Sequence, residues 1–270
     1  MKRVLVTGAS SGIGLASALR LARAGWRVYG GVRTAADADA LHQHGIEPLE
    51  LDVTDATQID TATASVGPEL DGLVDNAGIA VAAPLELVPL DELRRQLEVN
   101  VVGQIAVLQA VLPALRRARG RVVLMGSIGG RSALPFLGPY AASKHALEAF
   151  ADSLRIELRP FGIAVSIVEP GSIATPIWRK GAERAQELST GFEPERAALY
   201  APAVARFREV ALSRGLGVDP DVVAKAVEHA LTASRPKARY LVGRDAHIRA
   251  WVERLPTRLR DCVLARALTV

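Results

Sequence analysis

The sequence is short of several things, and each shortage excludes a class of protein. One cysteine, Cys262, stands among 270 residues, so there is no internal disulfide and the chain fits a reducing compartment. Aromatic residues make up only 4%, while Ala, Val and Leu are abundant, a composition suited to helices packed on a parallel sheet. The net charge of +4 is arginine spread along the chain, with no block of like charge, so no nucleic-acid arm is expected. No apolar run is expected to reach the ~18 residues of a membrane span. The apolar start Val4-Leu5-Val6 is cut off by Thr7-Gly8 long before it could act as a signal sequence. Metal ligation has no set of ligands: His42 and His44 do not share a helix face, and His145, His229 and His247 lack partners at ligand spacing. No internal repeat or low-complexity linker divides the chain. With 49% hydrophobic and 23% charged residues, the expectation is a soluble, cytoplasmic protein folded as a single domain, 1–270.

Apolar runs of strand length recur from end to end: Arg3 to Val6, Trp26 to Val32, Ile46 to Leu51, Gly72 to Asp75, Arg121 to Met125, Ile163 to Val168 and Arg239 to Val242. Helix-patterned segments separate them. These are Ile13 to Ala24, a helix capped by Thr54 or Asp55, Leu90 to Arg117, Pro139 to about Leu158, and a helix from Asp219-Pro220 to about Thr232. Such alternation predicts an α/β fold: a Rossmann-like, doubly wound parallel sheet of about seven strands flanked by helices. Two stretches break the rhythm. Residues 176–219 are polar, irregular and punctuated by Pro and Gly, partly helical from Ala197 to Leu212, and are expected to form a substrate lid. Residues 246–268 form a C-terminal extension of one or two basic amphipathic helices around Pro256, which could touch a membrane surface peripherally.

Between the first strand and the first helix lies Thr7-Gly8-Ala9-Ser10-Ser11-Gly12-Ile13-Gly14. Glycines let the backbone approach a ligand, and the helix start offers unpaired N–H groups and a positive dipole end. The turn therefore suits a phosphate. At the end of the second strand, where an acidic residue would bond the adenosine ribose, stand Val32 and Arg33. A guanidinium chelates a 2′-phosphate that a carboxylate would repel, which favours NADP(H), with NAD(H) as the alternative. Asp52 ends the third strand, and either belongs simply to the turn that follows or meets an adenine. Asn76-Ala77-Gly78 ends the fourth and allows close passage past a cofactor.

Tyr140 and Lys144 are four apart at the start of a helix, so a phenol and an ammonium share one face. A free tyrosine titrates near ~10, and a fixed positive charge lowers that value toward the range of a useful general acid–base. Ser127 follows the strand Arg121 to Met125, and Asn100 interrupts the middle of an apolar helix, where a polar residue is held for a purpose or faces solvent.

These residues, in this order and spacing, resemble the short-chain dehydrogenase/reductase family in its compact single-domain branch. The likeness covers roughly Lys2 to Thr175 and includes Pro170-Gly171-x-x-x-Thr175. One departure is Asp75, where the family usually has Asn; it is expected to affect how the fourth strand is tied down and hardly the chemistry. The resemblance implies that Tyr140 exchanges the proton of an alcohol or carbonyl oxygen and that Ser127 hydrogen-bonds that oxygen. Lys144 would bind the nicotinamide ribose and lower the Tyr140 pKa, while Asn100 holds a water that links Lys144 to solvent. The cofactor would be held by Gly8, Ser10, Ser11, Gly12, Ile13, Gly14, Arg33, Asp52, Val53, Asn76, Ala77, Gly78, Tyr140, Lys144, Pro170, Gly171, Ile173 and Thr175.

The stretches Val28 to Arg33 and Arg239 to Ala246 look like the hydroxysteroid- and retinol-dehydrogenase-like group, which implies a bulky apolar alcohol or ketone as substrate. Leu134, Phe136 and Leu137 would face Ile177 and Trp178 of the lid across it, above Ser127 and Tyr140. The family further implies a homo-oligomer, with a dimer favoured. A catalytically silent relative, binding the cofactor as a sensor or scaffold, is the alternative, but it would be expected to lose the tyrosine or the lysine. An extended-branch epimerase would want a different glycine spacing.

Overall fold

The computed structural model describes residues 1–213 and 217–268. Residues 214–216 of the segment 176–219, and 269–270 of the domain 1–270, lie outside the described residues. Seven parallel strands form one sheet in the order β3-β2-β1-β4-β5-β6-β7. In chain order they are β1 Arg3–Val6, β2 Arg27–Val32, β3 Glu47–Glu50, β4 Gly72–Asp75, β5 Arg121–Met125, β6 Ala164–Pro170 and β7 Arg239–Val242. The helices are α1 Gly12–Arg23, α2 Ala35–His42, α3 Ala56–Val66, α4 Leu90–Leu97, α5 Gly103–Ala118, α6 Gly138–Glu157, α7 Pro176–Ser189, α8 Pro194–Ser213, α9 Pro220–Thr232, α10 Arg244–Val252 and α11 Thr257–Leu268. The expected Rossmann-like sheet is therefore present.

Side chains alternate across the sheet with period two. Leu5, Leu73, Leu124 and Ile167 face the core shared with α3, α5 and α6. Val4, Val6, Val74, Val123 and Val168 face the core shared with α1 and α9. Covering both faces explains why the strands read as unbroken apolar runs. On the second face, Arg20 of α1 is bonded to Asp221 and Glu228 of α9. The chain leaves β1 in one direction for β2 and β3, then returns to build β4 to β7 on the other side. A crevice opens at such a reversal, outside the carboxyl ends of β1 and β4.

Three elements differ from the sequence reading. The helix expected from Leu90 to Arg117 contains a π-helical turn, Glu98–Val102, between α4 and α5. The whole run Leu90–Ala118 is long and apolar enough, by length and composition alone, to cross a membrane. That differs from the expectation that no run reaches this length, although Val107, Leu108, Val111 and Leu115 of the run are buried against the sheet. The segment after Pro176 is not irregular: it is the helix pair α7 and α8. Pro176 suits the first turn of a helix, and pairs at i,i+3 and i,i+4 such as Arg179–Glu183, Arg184–Glu187 and Arg196–Glu193 support these exposed helices. Helix α2 was not expected; Thr34 starts it by accepting a hydrogen bond from the Asp37 N–H. The caps at Asp55 and Asp219 are formed as the sequence suggests.

Candidate active site

Beyond β1, the Thr7 side chain stitches the glycine turn to the end of β4. Its hydroxyl donates to Asp75 Oδ1 at 3.1 Å and accepts from the N–H groups of Asn76 at 2.8 Å and Ala77 at 2.9 Å. The Asn76 amide donates back to the Thr7 carbonyl at 2.9 Å. Gly8 adopts φ +62°, in the left-handed region. A Cβ on Gly14 would lie 2.2 Å from the Gly8 carbonyl oxygen, so no larger residue fits there. Ser11 makes no side-chain cap to α1, and the first turn of α1 contains no acidic residue. The first N–H groups of the helix are thus left for an anion in the cleft, and the turn fits the phosphates of a dinucleotide.

One cleft runs along this edge of the sheet. It is lined by Gly8, Ser10, Ser11, Gly12, Ile13, Arg33, Asp52, Val53, Asn76, Ala77, Gly78, Pro170, Gly171, Ile173 and Thr175, with Ser127, Tyr140 and Lys144 at one end and Ile177 and Trp178 of α7 beside them. Gly14 packs behind the turn rather than lining the cleft. Sequence reasoning overlooked other residues of the lining, among them Ile79, Met125 and Lys180. Arg33 is exposed at the far end, 3.9 Å from Asp52. Burial pushes the Asp52 carboxyl up, but hydrogen bonds from Thr54 and the Arg33 charge outweigh it and hold the group below its ordinary value.

Tyr140 and Lys144 occupy the first turns of α6 and are buried, at 7% and 3% exposure. Lys144 Nζ donates to the Met125 carbonyl at 2.8 Å and lies 5.8 Å from the centre of the Tyr140 ring. Ser127 begins a 3₁₀ turn, its hydroxyl accepting from the Gly129 N–H at 3.0 Å. Burial raises the Tyr140 phenol above its ordinary value, while the Ser127 hydroxyl and the Arg249 charge act the other way. The lowering expected from Lys144 is not part of this balance, in which burial is the largest cause. Lys144 itself is pushed down to about 8 by burial, with the nearby Asp75 opposing.

Asn100 sits in the π turn, fully buried. It accepts from the Ile79 N–H at 2.8 Å and donates to the Ile79 carbonyl at 3.0 Å and the Ser143 hydroxyl at 3.1 Å. Gln96 and Gln104, four residues to either side, bond Val81, Ile79 and Ala77 in the same way. This polar stripe in an apolar helix holds the chain that passes the cofactor cleft after β4. The stripe's spacing of four was the available sequence signal.

Asp75 is completely buried; burial lifts its carboxyl to about 8, against the Thr7 hydrogen bond and the Lys144 charge. Among the described residues its Oδ2 has no hydrogen-bond partner. Asp75 ties the end of β4 to Thr7, as expected of this departure, and its carboxyl also lies close enough to Lys144 for each to affect the other's titration.

The residues assigned to the substrate walls divide. Trp178 meets Tyr140 edge to face, with ring centres 5.4 Å apart. Leu134, Phe136 and Leu137 are half-buried on the loop before α6 and do not line the cleft. Phe136, at φ +65°, instead packs edge to face on Phe207 of α8 at 5.5 Å. The loop and the lid thus meet each other. On the outer side Arg184 pairs with Glu92 of α4, and the Tyr200 hydroxyl donates to Glu86 at 2.6 Å.

Comparison with known proteins agrees with this geometry. The family model for short chain dehydrogenase matches residues 2–186. A 3-amino-tetrahydro-pyrrolizinone reductase of Xenorhabdus hominickii is 38% identical over 91% of this chain and 88% of its own length. Retinol dehydrogenase 5 of Mus musculus is 38% identical over 97% of this chain and 87% of its own. A short chain dehydrogenase from Burkholderia cenocepacia, solved in complex with NADP, superimposes with a TM-score of 0.76 at 26% identity, covering all of both chains. The chain belongs to the short-chain dehydrogenase family, in its retinol- and hydroxysteroid-dehydrogenase-like group, and is an NAD(P)(H)-dependent oxidoreductase interconverting an alcohol with a ketone or aldehyde.

Proposed function

We propose that this enzyme acts on a bulky apolar alcohol or ketone, uses NADP(H) in preference to NAD(H), and employs Tyr140 as its general acid–base. One observation carries the reading: the phenol of Tyr140, the hydroxyl of Ser127 and the ammonium of Lys144 converge at one end of the cleft, with apolar Ile177 and Trp178 beside them. The cofactor supplies or accepts the hydride at the carbonyl carbon. Tyr140 gives its proton to the carbonyl oxygen in reduction and takes it from the alcohol in oxidation. Ser127 fixes that oxygen and supports its developing negative charge. Lys144 holds the nicotinamide ribose and, with that end of the cleft filled, stabilises the phenolate against the cost of burial. Asn100 holds the water that connects Lys144 to solvent. Because its side-chain amide is committed to Ile79 and Ser143, the water is held by its backbone carbonyl in the widened π turn.

The remaining assignments follow the same cleft. Thr175 and the backbone after Pro170 hold the nicotinamide carboxamide, and the Gly8 to Gly14 turn holds the pyrophosphate. The chain works in the cytoplasm as one domain, in which 176–219 is the lid and 246–268 the helical extension. It pairs as a homodimer through α5 and α6. Exposed Val102 beside α5, with Phe150 and Ile156 on α6, supports that pairing.

Arg33 is the basis of the cofactor preference. NADPH binds at least tenfold more tightly than NADH, as a charge-assisted contact of about 1.5–3 kcal/mol requires. In fluorescence titrations Arg33→Ala removes most of that difference and barely changes NADH binding. Equal affinity of the unaltered enzyme for both cofactors would retire the assignment.

The substrate class is tested by a panel of ketones and alcohols followed through nicotinamide absorbance. Apolar burial contributes about 25 cal/mol per Å², so affinity rises with the hydrophobic size of the substrate until the lid is filled. In hydrogen exchange, a ternary complex with a bulky ketone protects residues 176–212 far more than cofactor alone. Unchanged exchange, or a preference for small polar ketones, would remove the lid and the bulky-substrate reading together.

A further inference from the structure

Among the described residues, every cation of the lid helices but one has a side-chain partner. On α7, Arg179 is paired with Glu183 and Arg184 with Glu92 and Glu187. On α8, Arg196 is paired with Glu193 and Arg206 with Glu209, while Arg208 donates to Gln186. Lys180 has no carboxylate and no hydrogen-bond partner among the described residues, and it is the lid cation that lines the cofactor cleft.

Its position is specific. The start of α7 rests directly on the glycine turn: a Cβ on Gly12 would lie 3.0 Å from Thr175 Cγ2 and 3.6 Å from Pro176 Cδ. Lys180 follows Pro176 by one helical turn, so its flexible stem springs from the part of the lid nearest the uncapped start of α1. The other cations of the cleft are engaged elsewhere. Arg33 is at the far end beside Asp52, and Lys144 is deep against the Met125 carbonyl. Between them the cleft offers a bound pyrophosphate the partial charge of a helix terminus, but no full positive charge except that of Lys180.

We propose that Lys180 is the lid's contact to the bridging pyrophosphate of the nicotinamide dinucleotide, and that this contact draws the first turn of α7 onto the cleft before substrate enters. Lys180 is then a positioning residue that makes lid closure depend on the cofactor. The inference rests on the dinucleotide reading of the cleft, and not on the preference for a 2′-phosphate.

Affinities of NADH and NADPH, measured by calorimetry at several NaCl concentrations, test it in the wild type and in Lys180→Met, Lys180→Arg and Lys180→Glu. Loss of one charge-assisted phosphate contact at a solvent-exposed site weakens both cofactors by roughly tenfold in Lys180→Met. The salt dependence becomes shallower in that variant. Lys180→Arg keeps most of the affinity, and Lys180→Glu loses more than Lys180→Met. In hydrogen exchange, cofactor alone protects the peptide 176–181 in the wild type and fails to do so in Lys180→Met, whereas protection of the rest of the lid still requires substrate. Unchanged affinities in Lys180→Met overturn the proposal. So does a loss confined to NADPH, which would assign the residue to the 2′-phosphate. A wild-type protein that bound neither dinucleotide would instead sink the cofactor reading, and this contact with it.

Discussion

Replacing Tyr140 with Phe removes turnover and leaves the fold and the cofactor affinity nearly intact. The aromatic ring keeps its place, since it is buried and packed edge to face on Trp178, and only the hydroxyl is lost. That hydroxyl is the group that moves the proton, so the rate falls by on the order of 10²–10⁴-fold, the usual worth of a general acid–base. The loss appears in kcat, because the missing interaction belongs to the transition state. Lys144→Met behaves differently. Its ammonium serves the ribose and the phenol together, so cofactor affinity and rate both fall. Absorbance assays with fluorescence titration separate the two patterns, and a Tyr140→Phe enzyme of near-normal rate would refute the proton path assigned to this residue.

Much of this site was legible because its signals are local. A phenol and an ammonium four residues apart share a helix face whatever surrounds them, and a glycine turn between a strand and a helix makes a phosphate site within a dozen residues. The order of alternating strands and helices likewise fixes the sheet. What was illegible depends on contacts across the chain. Residues 176–213 looked irregular because Pro and Gly interrupt their pattern, yet ion pairs and packing on the glycine turn make them helical. Asn100 was visible as a misfit in an apolar helix, but the π turn and the stripe it forms with Gln96 and Gln104 exist only where the chain after β4 passes beside them. Phe136 has the composition of a pocket wall and is turned onto Phe207 by a left-handed backbone no pattern announces. The balance at Tyr140 could not be read from Lys144 alone, because burial by the whole fold sets its direction.

Asp75 gives the largest expected change in stability, and it depends on pH. Its carboxyl titrates near 8 in the folded protein, against an ordinary value of 3.8, because it is wholly buried with one hydrogen bond from Thr7. The folded-state value is raised, so the stability this group allows is fully present below about pH 4 and is lost as pH rises toward and through 8. Over that window the unfolded chain releases the proton and the folded one retains it. Each pKa unit corresponds to about 1.4 kcal/mol, so the penalty by pH 8 is on the order of several kcal/mol. Lys144 does not cancel this slope. Its folded value is depressed to about 8 from 10.5, so its own contribution is lost as pH falls through 8 and is constant below. Asp75→Asn keeps an oxygen to accept from Thr7 and removes the titration. At pH 4.5, near the low end of this window, the variant and the parent therefore differ least. At pH 8 the variant melts higher, by at least about 5 °C for a chain of this size. Thermal unfolding followed by circular dichroism at half-unit steps from pH 4.5 to 8.5 measures the difference. A gap between the two proteins that stayed flat with pH would mean that Asp75 ionises in the fold, paired with Lys144, and the buried-acid reading would be lost.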